Sequence, residues 1–144
     1  MTNAIDAELQ DLVDEFDLVG APTDPERYGY LMELGRRLAP LSDAERSEAN
    51  KVRGCASQVW LVSEPQTNGV LAFRGDSDSD IVRGLIAVLI RLYSGRQAGD
   101  ILAFDVKGAF DRLGFSGAIS AQRSNGFFSM VERVRRDAGV LAGV

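Results

Sequence analysis

Apolar residues at Ile5, Leu9, Leu12, Val13 and Phe16 recur at helical spacing. They predict one amphipathic helix over residues 5–18, and Gly20-Ala21-Pro22 ends it. A second helix opens at Thr23-Asp24-Pro25-Glu26. Two registers fit: a capping box from Thr23 to Glu26, or Asp24 as N-cap with Pro25 at the first helical position. Tyr28, Leu31, Met32, Gly35 and Leu38 form its apolar face, and Pro40 stops it. Residues 42–50 are polar, with room for one short helix.

The period then changes. Val52 stands in a short extended piece, and residues 58–63 read as a strand. Thr67-Asn68-Gly69 is a hairpin signal. Residues 70–74 return, with Leu71 and Phe73 on one face and Val70, Ala72 and Arg74 on the other. A loop over residues 75–80 leads into a helix over 81–93, where Ser77, Asp78 and Ser79 are all candidate caps. That helix is apolar on nearly every side, which marks it as central and buried. Gly84 within it costs about 1 kcal/mol in helix propensity relative to Ala. A close backbone approach, by the sheet or by the turn at residue 55, would compensate. Short helices are expected near residues 98–104 and 107–113, with Gly114 as a stop. A last helix is expected over about 125–141, with Phe127, Val131, Val134, Ala138 and Leu141 on its buried face. Helices, a small sheet, then helices again give an α+β fold: a three-stranded antiparallel sheet packed against several helices. No repeat or linker divides residues 1–144, so one domain is expected.

Composition narrows the chemistry. There is one Cys and no His in 144 residues. This excludes Ser-His-Asp and Cys-His nucleophile systems, His-ligated metal sites and an internal disulfide. The net charge of −5, without a basic run, lacks the footprint of a nucleic-acid binder. The first ten residues, MTNAIDAELQ, are polar and acidic, and the longest apolar run, residues 85–90, is far too short for a membrane span. A cytoplasmic protein with no cofactor of its own is expected.

The lone Cys55 lies in VRGCASQVWL beside the only Trp, Trp60. A free cysteine often acts as a small core hydrophobe. Here Gly54, Ala56 and Ser57 surround it, and the apolar alternation begins only at Val59. Arg53, two residues away, is a cation that would favour a thiolate, unless it is simply a solvated charge. On these grounds core packing and chemistry stand level. A non-catalytic interaction domain and a thiol redox sensor are both open.

The segment resembles the active-site stretch of the SufE family, at Gly54, Cys55, Ser57, Val59 and Trp60. The likeness extends to residues 30–35 with Leu38 and Pro40, to residues 75–78 and 81–87, and to Arg123-Ser124-Asn125-Gly126, taken as the turn before the last helix. This chain departs from the family's habit at Ser79, Arg83 and Gln122. The resemblance implies a fold like that of SufE and IscU. It implies that Cys55 accepts sulfane sulfur from a SufS-type cysteine desulfurase, stimulates that enzyme, and passes sulfur to an iron-sulfur scaffold complex. No nucleic acid or membrane partner is expected, and the chain is expected as a monomer or weak homodimer. Arg53, Gly54, Ser57 and Arg123 are the expected supports of the sulfur site. Asp76, Asp78 and Trp60 are candidate partner contacts. In the family the cysteine is tucked away in the free protein, so partner binding would have to expose it. Arg123 either stabilises the sulfur anion or only anchors the last helix.

Overall fold

The computed structural model describes residues 4–116 and 118–143. Helix α1 (Ala4–Val19) buries Ile5, Leu9, Leu12 and Phe16, the stripe its spacing predicts. In the turn that follows, Asp24 Oδ1 accepts from the Glu26 amide at 3.0 Å. Pro25 is already in right-handed helical conformation. Asp24 is thus the effective cap of α2 (Glu26–Arg36), with proline in the first turn, where its missing N–H costs nothing. The buried face of α2 is Arg27, Leu31, Leu34 and Gly35; Tyr28 and Met32 are only half-buried.

Arg27 was not expected inside. Its guanidinium lies over the Phe16 ring, 5.2 Å from the centroid. It donates to the carbonyls of Gly20, at 3.0 Å, and Leu113. A buried charge needs such partners. It thereby ties the α1–α2 turn to Leu113, 86 residues further along the chain.

Residues 42–50 form turns rather than a helix. Three strands follow in the order β1-β2-β3, all antiparallel: β1 (Val59–Pro65), β2 (Val70–Ser77) and β3 (Arg96–Gln97). The hairpin turn places Asn68 at φ 60° and Gly69 at φ 73°, conformations these two residues tolerate best. The third strand is not the Val52 piece. That piece makes only a single bridge, Lys51 to Trp60, on the outer edge of β1. β2 runs three residues further than its alternation suggests. Gly75 permits this, because a Cβ there would meet Leu61 Cδ2 at 2.7 Å and Ile86 Cγ2 at 2.8 Å.

Helix α3 (Asp80–Tyr93) is the hub of the core and is capped by Ser79, whose side chain accepts from the Val82 amide. It packs on α1, α2, β2 and α6. Gly84 faces neither the sheet nor the cysteine turn; the close approach is to α2. A Cβ on Gly84 would fall 2.6 Å from Leu31 Cγ, and one on Gly35 would fall 2.7 Å from the Gly84 amide nitrogen. Two glycines at one crossing let two backbones nearly touch.

Helices α4 (Ala98–Ala103) and α5 (Val106–Arg112) are short, and Gly114, at φ 75°, ends the second. Helix α6 spans Ala121–Ala142 and buries Gly126, Phe127, Met130, Val131, Val134 and Ala138. It begins four residues before the expected start. Ser120 caps it by accepting from the Arg123 amide at 3.3 Å. Residues 123–126 therefore belong to the helix, not to the turn before it.

Candidate functional site

Cys55 sits on the connection between the Lys51 bridge and β1. The base of this loop is closed by the Val52 amide, which donates to the Val59 carbonyl at 2.8 Å. Gly54 turns the chain at φ 89°, where a side chain would be strained. A Cβ there would also lie 2.6 Å from Ser129 Oγ on α6. Glycine is needed twice over, for the turn and for the approach to the helix.

The turn lays Cys55 against α6. Its Sγ donates to the Gly126 carbonyl at 3.5 Å, and a Cβ on Gly126 would be 3.7 Å from that sulfur. The thiol is half-buried. Burial pushes its pKa above the ordinary thiol value, because water no longer solvates the thiolate. Beside it lies a cavity of about 120 Å³, lined on its apolar side by Val82, Leu85, Phe127 and Met130. Ser57, Gln122 and Arg123 supply its polar rim. One water molecule needs only about 10–15 Å³ of such space, so the cavity has ample room for a small group beside the thiol.

The expected supports separate into two groups. Gly54 shapes the turn that holds the thiol, and Ser57 and Arg123 line the cavity beside it. Arg53 points elsewhere: it pairs with Glu48 at 3.0 Å, with both side chains about three-quarters exposed, and lines a second groove with Lys51, Ser129, Glu132, Arg133 and Arg136. Arg123 is exposed at the cavity rim.

The candidate partner contacts also divide. Asp76 is not a loop or capping acid. It lies in β2, buried, and its carboxylate meets Arg46 at 2.8 Å and Arg83 at 3.1 Å. Asp78 is exposed and accepts from the Gln58 amide at 3.0 Å, fastening the start of β1 to the end of β2. Trp60 is half-buried on β1, opposite Asp76. Gly126 enters the sequence reading only as part of a family likeness, and Ser129 not at all. Both fall within the expected last helix, but nothing in their spacing shows that Gly126 faces the Cys55 sulfur or that Ser129 faces Gly54.

Among the described residues, no group of three or more His, Cys, Asp or Glu side chains could hold a metal ion. None of the described helices is long and apolar enough to cross a membrane.

The fold is that of a hypothetical protein from Thermus thermophilus whose solution structure is known. The two superpose with a TM-score of 0.73 at 14% identity, over 95% of this chain and 97% of that one. A SufE-like protein of Rhizobium etli, itself uncharacterized, is 44% identical over 140 residues, which is 94% of this chain and 93% of that protein. A second, from Rhizobium meliloti, is 38% identical over 133 residues, 90% of this chain and 94% of that protein. The Fe-S metabolism associated domain named SufE matches residues 10–138. A match over that span, with relatives of that similarity, places this chain in the SufE family, with a role in Fe-S metabolism.

Proposed function

We propose that the protein is a sulfur carrier whose Cys55 takes sulfane sulfur from a cysteine desulfurase, speeds that enzyme's turnover, and delivers the sulfur for iron-sulfur cluster assembly. One observation carries the reading: the only thiol of the chain lines a small cavity with an apolar side and a polar rim, on a loop whose glycine and helix seat both serve its placement.

The exchange balances without an external oxidant. The Cys55 thiol gives up its proton and its sulfur attacks the outer sulfur of the donor's persulfide. A new S–S bond forms on Cys55 as the donor's S–S bond breaks. The leaving thiolate takes a proton, so a thiol and a persulfide become a persulfide and a thiol. The rate follows thiolate fraction, leaving group and access. Burial limits the first and last in the free protein and slows stray oxidation as well. Productive transfer therefore requires the partner to draw the Cys55 loop off α6, breaking the bond to the Gly126 carbonyl. Arg123, exposed at the rim, is suited to meet the persulfide anion. The absence of a second Cys suits a carrier, since no neighbour can displace the bound sulfur into an internal disulfide.

The test is alkylation of Cys55 with and without a cysteine desulfurase. The reading expects faster alkylation of Cys55 when an unloaded desulfurase is added without cysteine. An unchanged rate, together with unchanged desulfurase turnover, would overturn it.

A further inference from the structure

Helix α6 grips the chain leading to the cysteine at a second point. Arg133 Nη2 donates to the Ala49 carbonyl at 2.9 Å and Nη1 to the Lys51 carbonyl at 3.4 Å. Its Nε faces Asp137 Oδ2 at 3.3 Å, and the same carboxylate accepts from Ser63 Oγ on β1. The Arg133 side chain is only 15% exposed. Three of its donors are thus committed to fixed acceptors, two of them backbone oxygens of the segment just before Cys55.

Residues 126, 129 and 133 are spaced by three and four, so they lie along one face of α6. Each meets a successive part of one stretch of chain. Arg133 holds Ala49 and Lys51, Ser129 lies under Gly54, and the Gly126 carbonyl receives the Cys55 thiol. The grip and the thiol's seat are seven residues apart on the helix, about 10 Å along its axis. A rigid helix with anchors at both ends sets how deeply the thiol rests over its cavity.

We infer that Arg133 is a positioning residue for Cys55: by bridging the Ala49 and Lys51 carbonyls to α6, it sets the resting depth of the thiol. The inference rests on Cys55 being the reacting group. It deepens that reading by assigning control of its exposure to a residue that touches neither the sulfur nor its cavity. A planar guanidinium can hold two carbonyls and a carboxylate at once. A lysine ammonium at the same place offers no such fork.

The experiment measures Cys55 alkylation by iodoacetamide against pH in the free protein, alongside thermal melting. Arg133→Gln lets the segment lift. Its alkylation midpoint moves down toward the ordinary thiol value, and its neutral-pH rate rises about tenfold or more, the effect of losing one charged hydrogen bond from the closed state. Arg133→Lys stays near the Gln variant rather than near wild type. Arg136→Gln, which removes a neighbouring and largely exposed guanidinium 3.7 Å from Asp137, leaves the profile unchanged. A folded Arg133→Gln with the wild-type profile overturns the inference, and so does an equal shift in Arg136→Gln. If Arg133→Gln does not fold, Asp137→Ala is read instead, since it removes the acceptor that aims the guanidinium. A shift in the same direction supports the inference, and no shift overturns it. No sulfur donor is present in this assay. Failure of wild-type protein to take up sulfur would count against the carrier function and not against this positioning.

Discussion

Gly84→Ala sets two effects against each other at the centre of the core. Alanine improves helix propensity by about 1 kcal/mol over glycine. The added methyl, however, would stand 2.8 Å from the Leu31 carbonyl carbon and 2.6 Å from Leu31 Cγ. Carbon atoms prefer about 3.5–4.0 Å, so α2 and α3 must part by about 1 Å, and a gap of that size forfeits a quarter to a half of each contact's attraction. The obstacle is backbone and cannot rotate away. The facing Gly35 makes matters worse, because its own approach is to the Gly84 amide nitrogen. Overpacking costs about 1–3 kcal/mol and occasionally more, and a clash with backbone puts this site at about 3 kcal/mol or above. The collision therefore wins, and the net loss is about 2 kcal/mol or more. For a chain of this size that lowers the melting temperature by roughly 4–8 °C. Urea unfolding of wild type and Gly84→Ala measures it. A variant as stable as wild type, or more so, would refute the crossing described here and leave propensity as the deciding term.

Asp76→Asn leaves Arg46 and Arg83 without their carboxylate; because both arginines are partly exposed, the expected cost is about 2–3 kcal/mol in urea unfolding, below the full range for a buried pair. Cys55 of the free protein titrates above the ordinary thiol range, because burial disfavours the thiolate. By linkage, its contribution to stability is fully present below the unfolded thiol's pKa and is lost as pH rises toward the folded value. Alkylation rates against pH, compared with those of a short cysteine peptide, check the direction; a midpoint at or below the peptide's would contradict it. Arg123→Ala keeps the melting temperature within about 1 °C, as an exposed substitution should. It slows sulfur loading of Cys55 by a desulfurase, read by mass against time, whereas unchanged loading would reduce Arg123 to a helix residue.

Much of this architecture was legible along the chain. The stripe of α1, the alternation of β2 and the all-round apolarity of α3 each follow from a period that burial imposes, and each appears as read. What was not legible depends on partners distant in sequence. Arg27 and Asp76 look like surface charges until Leu113, Arg46 and Arg83 are brought to them. The third strand is two residues long and has no pattern of its own; it exists because β2 offers it an edge. The start of α6 was hidden by Ser124, Asn125 and Gly126, weak helix formers that a cap at Ser120 and packing against the cysteine loop carry into the helix. At the site, the sequence drew attention to Cys55, Gly54 and Arg123. It also suggested Arg53 as the thiol's cation, by adjacency, but Arg53 is turned outward to Glu48, and what shifts the thiol is burial.

The central claim is that Cys55 itself carries the sulfur. Incubating the protein with a cysteine desulfurase and cysteine, then taking an intact mass without reductant, tests it directly. The account predicts added mass of one sulfur atom on wild type, lost on reduction, and none on Cys55→Ser. No added sulfur on wild type, or equal addition to Cys55→Ser, would contradict it.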